Sequence, residues 1–218
     1  MFRGFKLESI DTNRTEPEAQ AATGSAATPP RILRADARRN VERLIAAARD
    51  AFAVHGPQAS LDDIARNAGV GSGTLYRHFP TRLALLEAVY RDGVERLCAD
   101  GDRLLATRPP DRAFVEWLQA FVAYVSLKRG LAGPLTQGLG SDSGLFSESR
   151  AMVQRTGNAL LSGAKAVGAV REDVDLMDVL RLAGACGQAG ENVAEGSALS
   201  ERLLLLAMDG LRPRDAID

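Results

Sequence analysis

The chain has 218 residues, of which 45% are hydrophobic and 25% charged, and its formal net charge at pH 7 is −1. This length and composition allow a sizeable core without disulfides, and the two cysteines, Cys98 and Cys186, are too few for a disulfide framework. No apolar run reaches the roughly 18 residues of a membrane span, and residues 1–13 lack the apolar stretch of a secretory signal. These features exclude a disulfide-rich secreted domain and a membrane-spanning protein, and we expect a cytoplasmic protein with no membrane partner.

Charge is distributed unevenly along the chain. Residues 31–82 contain nine arginines and five acidic residues, whereas residues 83–218 contain 15 basic and 19 acidic residues. A basic segment on a mildly acidic body is typical of a protein that approaches a polyanion with one end. Chance clustering is the alternative, and charge alone does not decide between the two.

Residues 1–34 are predicted to form a disordered N-terminal extension. Large apolar residues are scarce after Ile10, and the run that follows is rich in Ala, Thr, Gly and Pro without helical or strand periodicity. An arm that contacts DNA is the alternative. From Arg34 onward, apolar residues recur at helical spacing until the stop formed by Gly56 and Pro57.

The segment after this stop predicts two short helices joined by a tight turn. Ser60 is placed as the N-cap of the first short helix, and Gly69 is placed in a left-handed conformation that ends it. Ser72 is predicted to cap the second short helix, in which Leu75 and Phe79 lie four residues apart and therefore face the core together. The remaining side chains of that helix are then free to face outward.

A long helix is predicted from Arg82 to about residue 106, and a strongly apolar fifth helix over about residues 111–128. The segment 129–145, rich in Gly, Ser and Pro, is expected to hold one short helix and a loop. Three further helices are expected over about residues 147–168, 176–193 and 199–211. Because no strand alternation occurs, we predict an all-α fold of about nine helices, with a three-helix helix-turn-helix domain over residues 35–82 and a ligand-binding and dimerisation domain over residues 83–218.

The outward groups of the second short helix suit contact with DNA. An α-helix fits the major groove, where Thr74 offers a methyl to thymine and Tyr76 and His78 offer donors to phosphate oxygens. Arg77 can pair with phosphate or with a guanine edge. Arg82 begins the long helix, where peptide dipoles favour an anion.

At these residues the chain resembles the TetR family of bacterial transcription regulators. The resemblance spans residues 37–97 and is carried by the helix RRNVERLIAAARDAF, the turn HGPQAS, the helix LDDIARNAGV and the segment GSGTLYRHFPTRLALLEAV. Beyond residue 97 it is limited to architecture and to the run ERLLLLAMDGLRP. Arg82 stands where the family usually has lysine, and a forked guanidinium is not geometrically equivalent to an ammonium.

The resemblance implies a homodimer that binds double-stranded DNA at a palindromic operator, with half-sites one helical turn apart, about 34–36 Å. It assigns DNA contact to a set of residues in and beside the second short helix: Ser72, Gly73, Thr74, Tyr76, Arg77, His78 and Arg82. Ser60 is added as a candidate phosphate contact, although helix capping explains this serine equally well.

The fifth helix carries aromatic residues at three- and four-residue spacing. Ordinary core packing is one explanation; the other is that they line a cavity together with two apolar residues of the following long helix. The candidate ligand-binding residues are Phe114, Trp117, Phe121, Tyr124, Met152 and Leu160. Because the resemblance implies that the C-terminal domain holds an inducer, we expect an apolar or aromatic small-molecule effector near Trp117.

The last two helices are rich in leucine and in small residues that allow close approach between helices. Four consecutive leucines, at residues 203–206, are too many for one buried stripe of a surface helix. A two-fold interface explains them, with a wider intramolecular core as the alternative. The candidate dimerisation residues are Leu176, Val179, Leu180, Ala183, Gly187, Leu199, Leu203 and Leu206.

Signals for catalysis are weak. The two histidines, His55 and His78, do not have a metal-ligand spacing, and no HExxH, GxSxG or CxxC motif occurs. We therefore predict no enzyme activity, no cofactor and no metal. Cys98 and Cys186 are interpreted as buried apolar residues, with a redox-sensing thiol as the alternative.

The predicted function is that of a ligand-responsive repressor, released from its operator when a small apolar or aromatic molecule binds. One alternative is an activator or a ligand-independent regulator on the same fold. The other is a helical small-molecule-binding or enzymatic protein that does not bind DNA.

Overall fold

The computed structural model of the protein describes residues 30–191, 193 and 195–213. This part of the chain contains eight α-helices, one 3₁₀ turn at Gly56–Gln58 and no strand. The helices are α1 (Pro30–His55), α2 (Leu61–Asn67), α3 (Ser72–His78), α4 (Arg82–Thr107), α5 (Pro110–Leu139), α6 (Gly144–Ala166), α7 (Leu176–Ala189) and α8 (Gly196–Asp209). The predicted all-α class is confirmed, with eight helices in these residues where about nine were expected.

The first helix begins earlier than the sequence pattern indicated. It starts at Pro30, inside the segment 1–34 that was predicted to be disordered. Proline fits the first turn of a helix because the N–H that it lacks would have no helical partner there. The rest of the predicted extension, residues 1–29, lies outside the described residues.

The three N-terminal helices share one core with the long helix α4. Leu44 and Phe52 of α1, Ile64 of α2 and Leu75 of α3 are all at most 3% exposed. α1 contacts α2, α4 and α5, so the helix-turn-helix unit is held against the rest of the protein by its first helix. The apolar face that spacing assigned to α1 is therefore the face that packs.

The turn between α2 and α3 follows the local signals of the sequence. Ser60 accepts a hydrogen bond from the backbone N–H of Asp63 at 3.3 Å and caps α2 as predicted. Gly69 has a φ of 67°, the left-handed conformation that glycine adopts without steric cost. Val70 N–H donates to the Ala65 carbonyl and Gly69 N–H to the Arg66 carbonyl, both at 3.0 Å, which satisfies the last carbonyls of α2.

Five helices, α4 to α8, form the larger C-terminal bundle. α4 packs on α5 and α6, α5 packs also on α7, and α7 packs on α8. α4 is 26 residues long and belongs to both parts of the molecule, since its first residue follows the helix-turn-helix and its middle lies in the bundle. α4 therefore connects the helix-turn-helix with the bundle.

The segment 129–145 was wrongly expected to form a short helix and a loop. α5 continues through it as far as Leu139, with Pro134 inside the helix. A helical proline costs about 3 kcal/mol, whereas burial of one leucine contributes about 1.5–3 kcal/mol. Leu131 and Leu135 are 1% and 0% exposed, so their burial together offsets the proline, an effect that local composition does not reveal.

Candidate nucleic-acid interface and effector pocket

The recognition candidate, α3, separates packing side chains from presented ones. Leu75 and Phe79 are 1% and 7% exposed and anchor the helix, as predicted. Tyr76 is 48% exposed and Arg77 is exposed as well. A Cβ added to Gly73 would meet no atom within 4 Å, so packing inside the protein does not require glycine there. α3 therefore presents a free polar surface on one side.

The eight residues predicted to contact DNA lie on α3 or at the first turn of a neighbouring helix. Five are exposed: Ser60, Ser72, Gly73, Tyr76 and Arg77. Three are half-buried: Thr74, His78 and Arg82. The structure thus brings six of them onto a single seven-residue helix, while Ser60 and Arg82 flank it at the starts of α2 and α4.

Ser72 does not cap α3, in contrast to the prediction. Gly71 is the N-cap residue, and Ser72 is the first residue of the helix. The Ser72 hydroxyl instead donates to the Asp62 carboxylate at 2.7 Å, which ties the start of α3 to the first turn of α2. Glycine suffices as N-cap because it adopts the extended conformation required there and the side-chain cap is worth only about 1 kcal/mol.

Arg82 has a structural role that the sequence did not indicate. Its Nη1 donates to the carbonyl oxygens of Pro57 at 3.0 Å and of Ala59 at 2.6 Å. These carbonyls lie three residues and one residue before Ser60, the N-cap of α2. The first residue of α4 therefore holds the entry to the helix-turn-helix, and contact of its other N–H groups with phosphate stays a prediction.

Loss of this guanidinium is expected to destabilise the fold measurably. Arg82→Met leaves two half-enclosed carbonyls without their charged donor, which lowers the free energy of unfolding by about 1–3 kcal/mol in urea denaturation. Arg66→Met is the matched control, because Arg66 is largely exposed and Asp63, at 2.8 Å, is its one ion-pair partner among the residues that the structure describes. Its effect should stay within about 0.5 kcal/mol. Equal stability of the two variants would remove the clamping role of Arg82.

The predicted dimerisation residues divide into two groups. Five are buried inside the single protomer: Leu176, Val179, Leu180, Ala183 and Gly187. A Cβ on Gly187 would lie 2.8 Å from Val122 Cγ1, which shows how closely α7 packs on α5. These five side chains supply the intramolecular core, so assigning them to a dimer interface was wrong; the alternative of a wider core explains them.

The other three residues remain available to a partner. Leu199 and Leu203 are half-buried and Leu206 is 62% exposed, and their spacing places all three on one face of α8. Sequence reasoning missed two further exposed leucines, Leu182 on α7 and Leu205 on α8, which are 41% and 46% exposed. The run of four leucines was the available signal, because four consecutive helical positions cannot all face one core.

Trp117 lies in the core rather than beside open space. Its side chain is 0% exposed, and its indole nitrogen donates to the Leu97 carbonyl at 3.1 Å. Added Cβ atoms on Gly101 and Gly157 would lie 3.1 Å and 2.7 Å from the indole, so these two glycines make room for it. Trp117 is therefore a core residue, and its indole stacks on Phe121 with ring centroids 5.9 Å apart. An effector position near Trp117 stays a prediction.

An apolar pocket of about 280 Å³ lies between α5, α6 and α7. Its lining residues are Phe121, Tyr124, Val125, Lys128, Ser149, Arg150, Val153, Gln154, Met177, Leu180, Arg181 and Gly184. Of the six predicted ligand residues, only Phe121 and Tyr124 line it. Phe114, Trp117, Met152 and Leu160 do not. Each of the three helices contributes four residues, which no single helical pattern could reveal.

The aromatic pair in this pocket is connected to α4. The Phe121 and Tyr124 rings lie 6.2 Å apart, and Tyr124 lies 6.5 Å from the ring of Tyr90, which is buried on α4. A Cβ on Gly93 of α4 would lie 3.5 Å from the Tyr124 ring. Burial, with a smaller contribution from Tyr90, raises the pKa of the Tyr124 phenol far above its ordinary value. Tyr124 therefore stays protonated and can act as a hydrogen-bond donor.

Three other features bear on the sequence-based predictions. In residues 30–191, 193 and 195–213, no group of three or more His, Cys, Asp or Glu is placed to hold a metal ion. None of the helices in this part of the chain has the length and apolar character needed to cross a membrane. Cys98 and Cys186 are buried as expected, and burial raises the pKa of both thiols, which disfavours the reactive thiolate.

Two family descriptions match the chain over most of its length. Residues 44–89 match the N-terminal domain of bacterial regulatory proteins of the tetR family. Residues 109–213 match the C-terminal domain of SbtR-like transcriptional regulators. The chain is also 46% identical over 56 residues to TtgW, an uncharacterised helix-turn-helix transcriptional regulator of Pseudomonas putida, a match that spans 42% of that relative and 25% of this chain.

Solved structures give a likeness over the whole fold. The TetR transcriptional regulator SCO0520 from Streptomyces coelicolor is 40% identical with a TM-score of 0.72, and the match covers 80% of this chain and 99% of that one. A TetR regulator from Mycobacterium vanbaalenii is 35% identical with a TM-score of 0.67, over 83% and 99% of the two chains. LfrR from Mycobacterium smegmatis, solved with proflavine, is 22% identical with a TM-score of 0.58, and the match covers 81% of this chain and 98% of that one. At this identity the match shows a shared fold only.

Proposed function

The chain belongs to the TetR family of bacterial transcriptional regulators, and on this premise we propose that it is a dimeric repressor that a small molecule releases from a palindromic operator. The observation that carries the proposal is the division of α3 into buried anchors, Leu75 and Phe79, and presented groups, Tyr76 and Arg77. A helix held in this way can enter a major groove without unfolding its own core.

Charge supports α3 as the DNA-contacting element. Arg77 takes part in no ion pair with another described residue, so its guanidinium is free for phosphate or a guanine edge. The hydrogen bond from Ser72 to Asp62 holds α3 against α2, and the hydrogen bonds from Arg82 to Pro57 and Ala59 hold the start of α4 against the entry to α2. These contacts exist before DNA binds. A site that is ordered in advance loses less conformational entropy on binding.

Repression is tested first by a gel shift on an inverted repeat upstream of the chain's own coding region. We expect binding that weakens steeply with salt, because contacts with phosphate release counterions. A reporter gene behind the same repeat should be silent with the regulator present and active without it. Absence of DNA binding at low salt contradicts the proposal. If the regulator raises the output of the reporter, the protein is an activator rather than a repressor.

Arg77→Ala is expected to weaken operator binding about tenfold and to reduce the slope of affinity against salt by about one if Arg77 contacts a phosphate. The dimer should persist, since Arg77 is far from α7 and α8 in the fold. Arg112→Ala is the matched control: Arg112 is exposed and lies in the first turn of α5, which follows the end of α4 that is remote from α3. α4 has 26 residues and is therefore roughly 39 Å long. Equal operator binding by the two variants, measured by fluorescence anisotropy, would remove α3 from the interface.

Dimerisation is proposed to use α7 and α8. The support is the exposed apolar surface that these helices retain in the protomer: Leu182, Leu205 and Leu206, with the half-buried Leu199 and Leu203 on the same face of α8 as Leu206. Proteins of this family dimerise, and a two-fold pair would place two copies of α3 at successive major grooves on the same side of the DNA.

Effector binding is proposed for the pocket between α5, α6 and α7. The support is its apolar lining and its connection to α4 through Tyr124, Tyr90 and Gly93. A ligand that binds more tightly to one orientation of α4 shifts the protein toward that orientation by its differential affinity alone. Because α4 begins at Arg82, which holds the entry to α2, such a shift changes the separation of the two α3 helices.

A further inference from the structure

We propose that the pocket between α5, α6 and α7 selects a small organic anion, a carboxylate carried on an aromatic or short aliphatic body. This inference rests on the proposed effector role of the pocket and adds the chemical class of the effector. It follows from three features of the lining: its apolar walls, the sign of its charged groups, and uncharged polar groups that can donate hydrogen bonds.

The walls suit a flat or slender apolar body. Phe121 and Tyr124 supply two rings with centroids 6.2 Å apart, tilted by 47°. Val153 and Leu180, at 7% exposure each, close the pocket from α6 and α7. The volume of about 280 Å³ is near the lower end of the roughly 300–1,000 Å³ of small-molecule sites, which limits the body to about one or two rings or a chain of similar size.

All charged groups that line this pocket are cations. Lys128 of α5, Arg150 of α6 and Arg181 of α7 contribute one positive charge from each wall, and no Asp or Glu lines the pocket. Arg181 pairs with Asp178 at 2.9 Å, whereas Lys128 and Arg150 pair with no other described residue. All three cationic residues are exposed, so solvent screens part of their charge, but together they give the cavity a positive potential that favours an anionic ligand.

Uncharged polar side chains that can donate hydrogen bonds also line the pocket. Gln154 Nε2 donates to the Met177 thioether at 3.2 Å, and sulfur is a weak acceptor that a carboxylate oxygen would replace with gain. Ser149, which is 5% exposed, lines the same pocket from α6, and its hydroxyl can donate. A carboxylate accepts from all of these groups, whereas an ammonium ligand would find no carboxylate to receive it.

The test compares ligands that share one body and differ in charge. Isothermal titration calorimetry of the full chain with 2-naphthoate, 2-naphthamide and 2-naphthylmethylammonium should give an affinity order of acid, amide, amine. We expect the acid to bind about tenfold more tightly than its amide, because a charge-assisted contact replaces a neutral one. Cinnamate and octanoate, each with its primary amide, repeat the comparison for a smaller ring and for a chain.

Charge-neutralising variants locate the effect. Lys128→Gln/Arg150→Gln should reduce the affinity for 2-naphthoate about tenfold and leave that for 2-naphthamide unchanged within a factor of about two. Arg155→Gln is the matched control, because Arg155 is exposed on the same helix as Arg150 and does not line the pocket. If the control variant loses as much affinity for 2-naphthoate as the double variant does, the effect comes from the overall surface charge rather than from the pocket.

Two outcomes overturn the inference. One is that none of the acids binds more tightly than its own amide, which includes the case in which no acid binds at millimolar concentration. The other is that the double variant binds the acids as the parent does. Gel shifts with each ligand distinguish failure of the anion inference from failure of the proposed effector role. If an amide or an amine releases the DNA, the effector role stands and the preference for an anion is contradicted. If no ligand of any charge releases the DNA, the effector role itself is contradicted.

Discussion

Replacement of Trp117 by alanine is expected to lower the free energy of unfolding by about 3–5 kcal/mol, because the indole is completely enclosed. It is 0% exposed, stacks on Phe121 with ring centroids 5.9 Å apart, and donates to the Leu97 carbonyl at 3.1 Å. Truncation removes this buried area, opens a cavity between α4, α5 and α6, and leaves a buried carbonyl without its donor. Stability should be measured by urea denaturation with circular dichroism, since Trp117 is the chain's single tryptophan.

Trp117→Phe provides the comparison for this result. The smaller ring keeps most of the apolar volume but loses the hydrogen bond to Leu97, so we expect a loss of about 1–3 kcal/mol. A Trp117→Ala variant within about 1 kcal/mol of the parent would mean that the indole faces space rather than protein, which would return Trp117 to the ligand pocket.

The double substitution Leu205→Glu/Leu206→Glu is expected to produce monomers and to weaken operator binding by at least about 100-fold. Glutamates at these two exposed positions of α8 would have to be desolvated when a partner docks, which opposes association. A monomer engages one half-site only, and loss of the linked second contact removes the gain in affinity of roughly 10²–10⁴ that bivalent binding gives. The two leucines are 46% and 62% exposed, so the folded protomer should tolerate both changes.

Leu105→Glu is the control for this second result. Leu105 is also an exposed leucine, at 41%, but it lies near the end of α4 rather than on α7 or α8. Sedimentation velocity at micromolar concentration should report a dimer for the parent and for Leu105→Glu, and a folded monomer for the double variant. A double variant that remains dimeric would place the two-fold interface elsewhere on the protomer.

The helix-turn-helix unit was predictable because its signals are local. Ser60 as N-cap, Gly69 at positive φ, and the pair Leu75 and Phe79 each act within four residues along the chain. The error there, the capping role of Ser72, and the structural role of Arg82 that the sequence did not indicate both come from contacts over longer separations. Ser72 bonds to Asp62, and Arg82 bonds to Pro57 and Ala59.

The bundle was predictable as helices but not as an arrangement. Periodicity identifies an apolar stripe without naming the surface that covers it, so the stripe of α7 served equally well for a dimer and for an intramolecular core. Burial of Val179 and Ala183 decided for the core. In the same way, aromatic spacing on α5 could not show that Trp117 packs between glycines while Tyr124 faces a pocket.

By itself, the sequence determined the all-α class, the helix-turn-helix and the division of α3 into anchoring and presented residues. Capping, glycine conformation and four-residue spacing are short-range effects that the chain carries wherever it folds. Only the tertiary structure decided that α5 runs through Pro134, which residues of α7 and α8 remain exposed, and that Lys128, Arg150 and Arg181 converge on one pocket. Those features depend on packing between helices that are distant in sequence. The energy of such packing depends on both contacting surfaces, so the pattern of one helix alone does not reveal it.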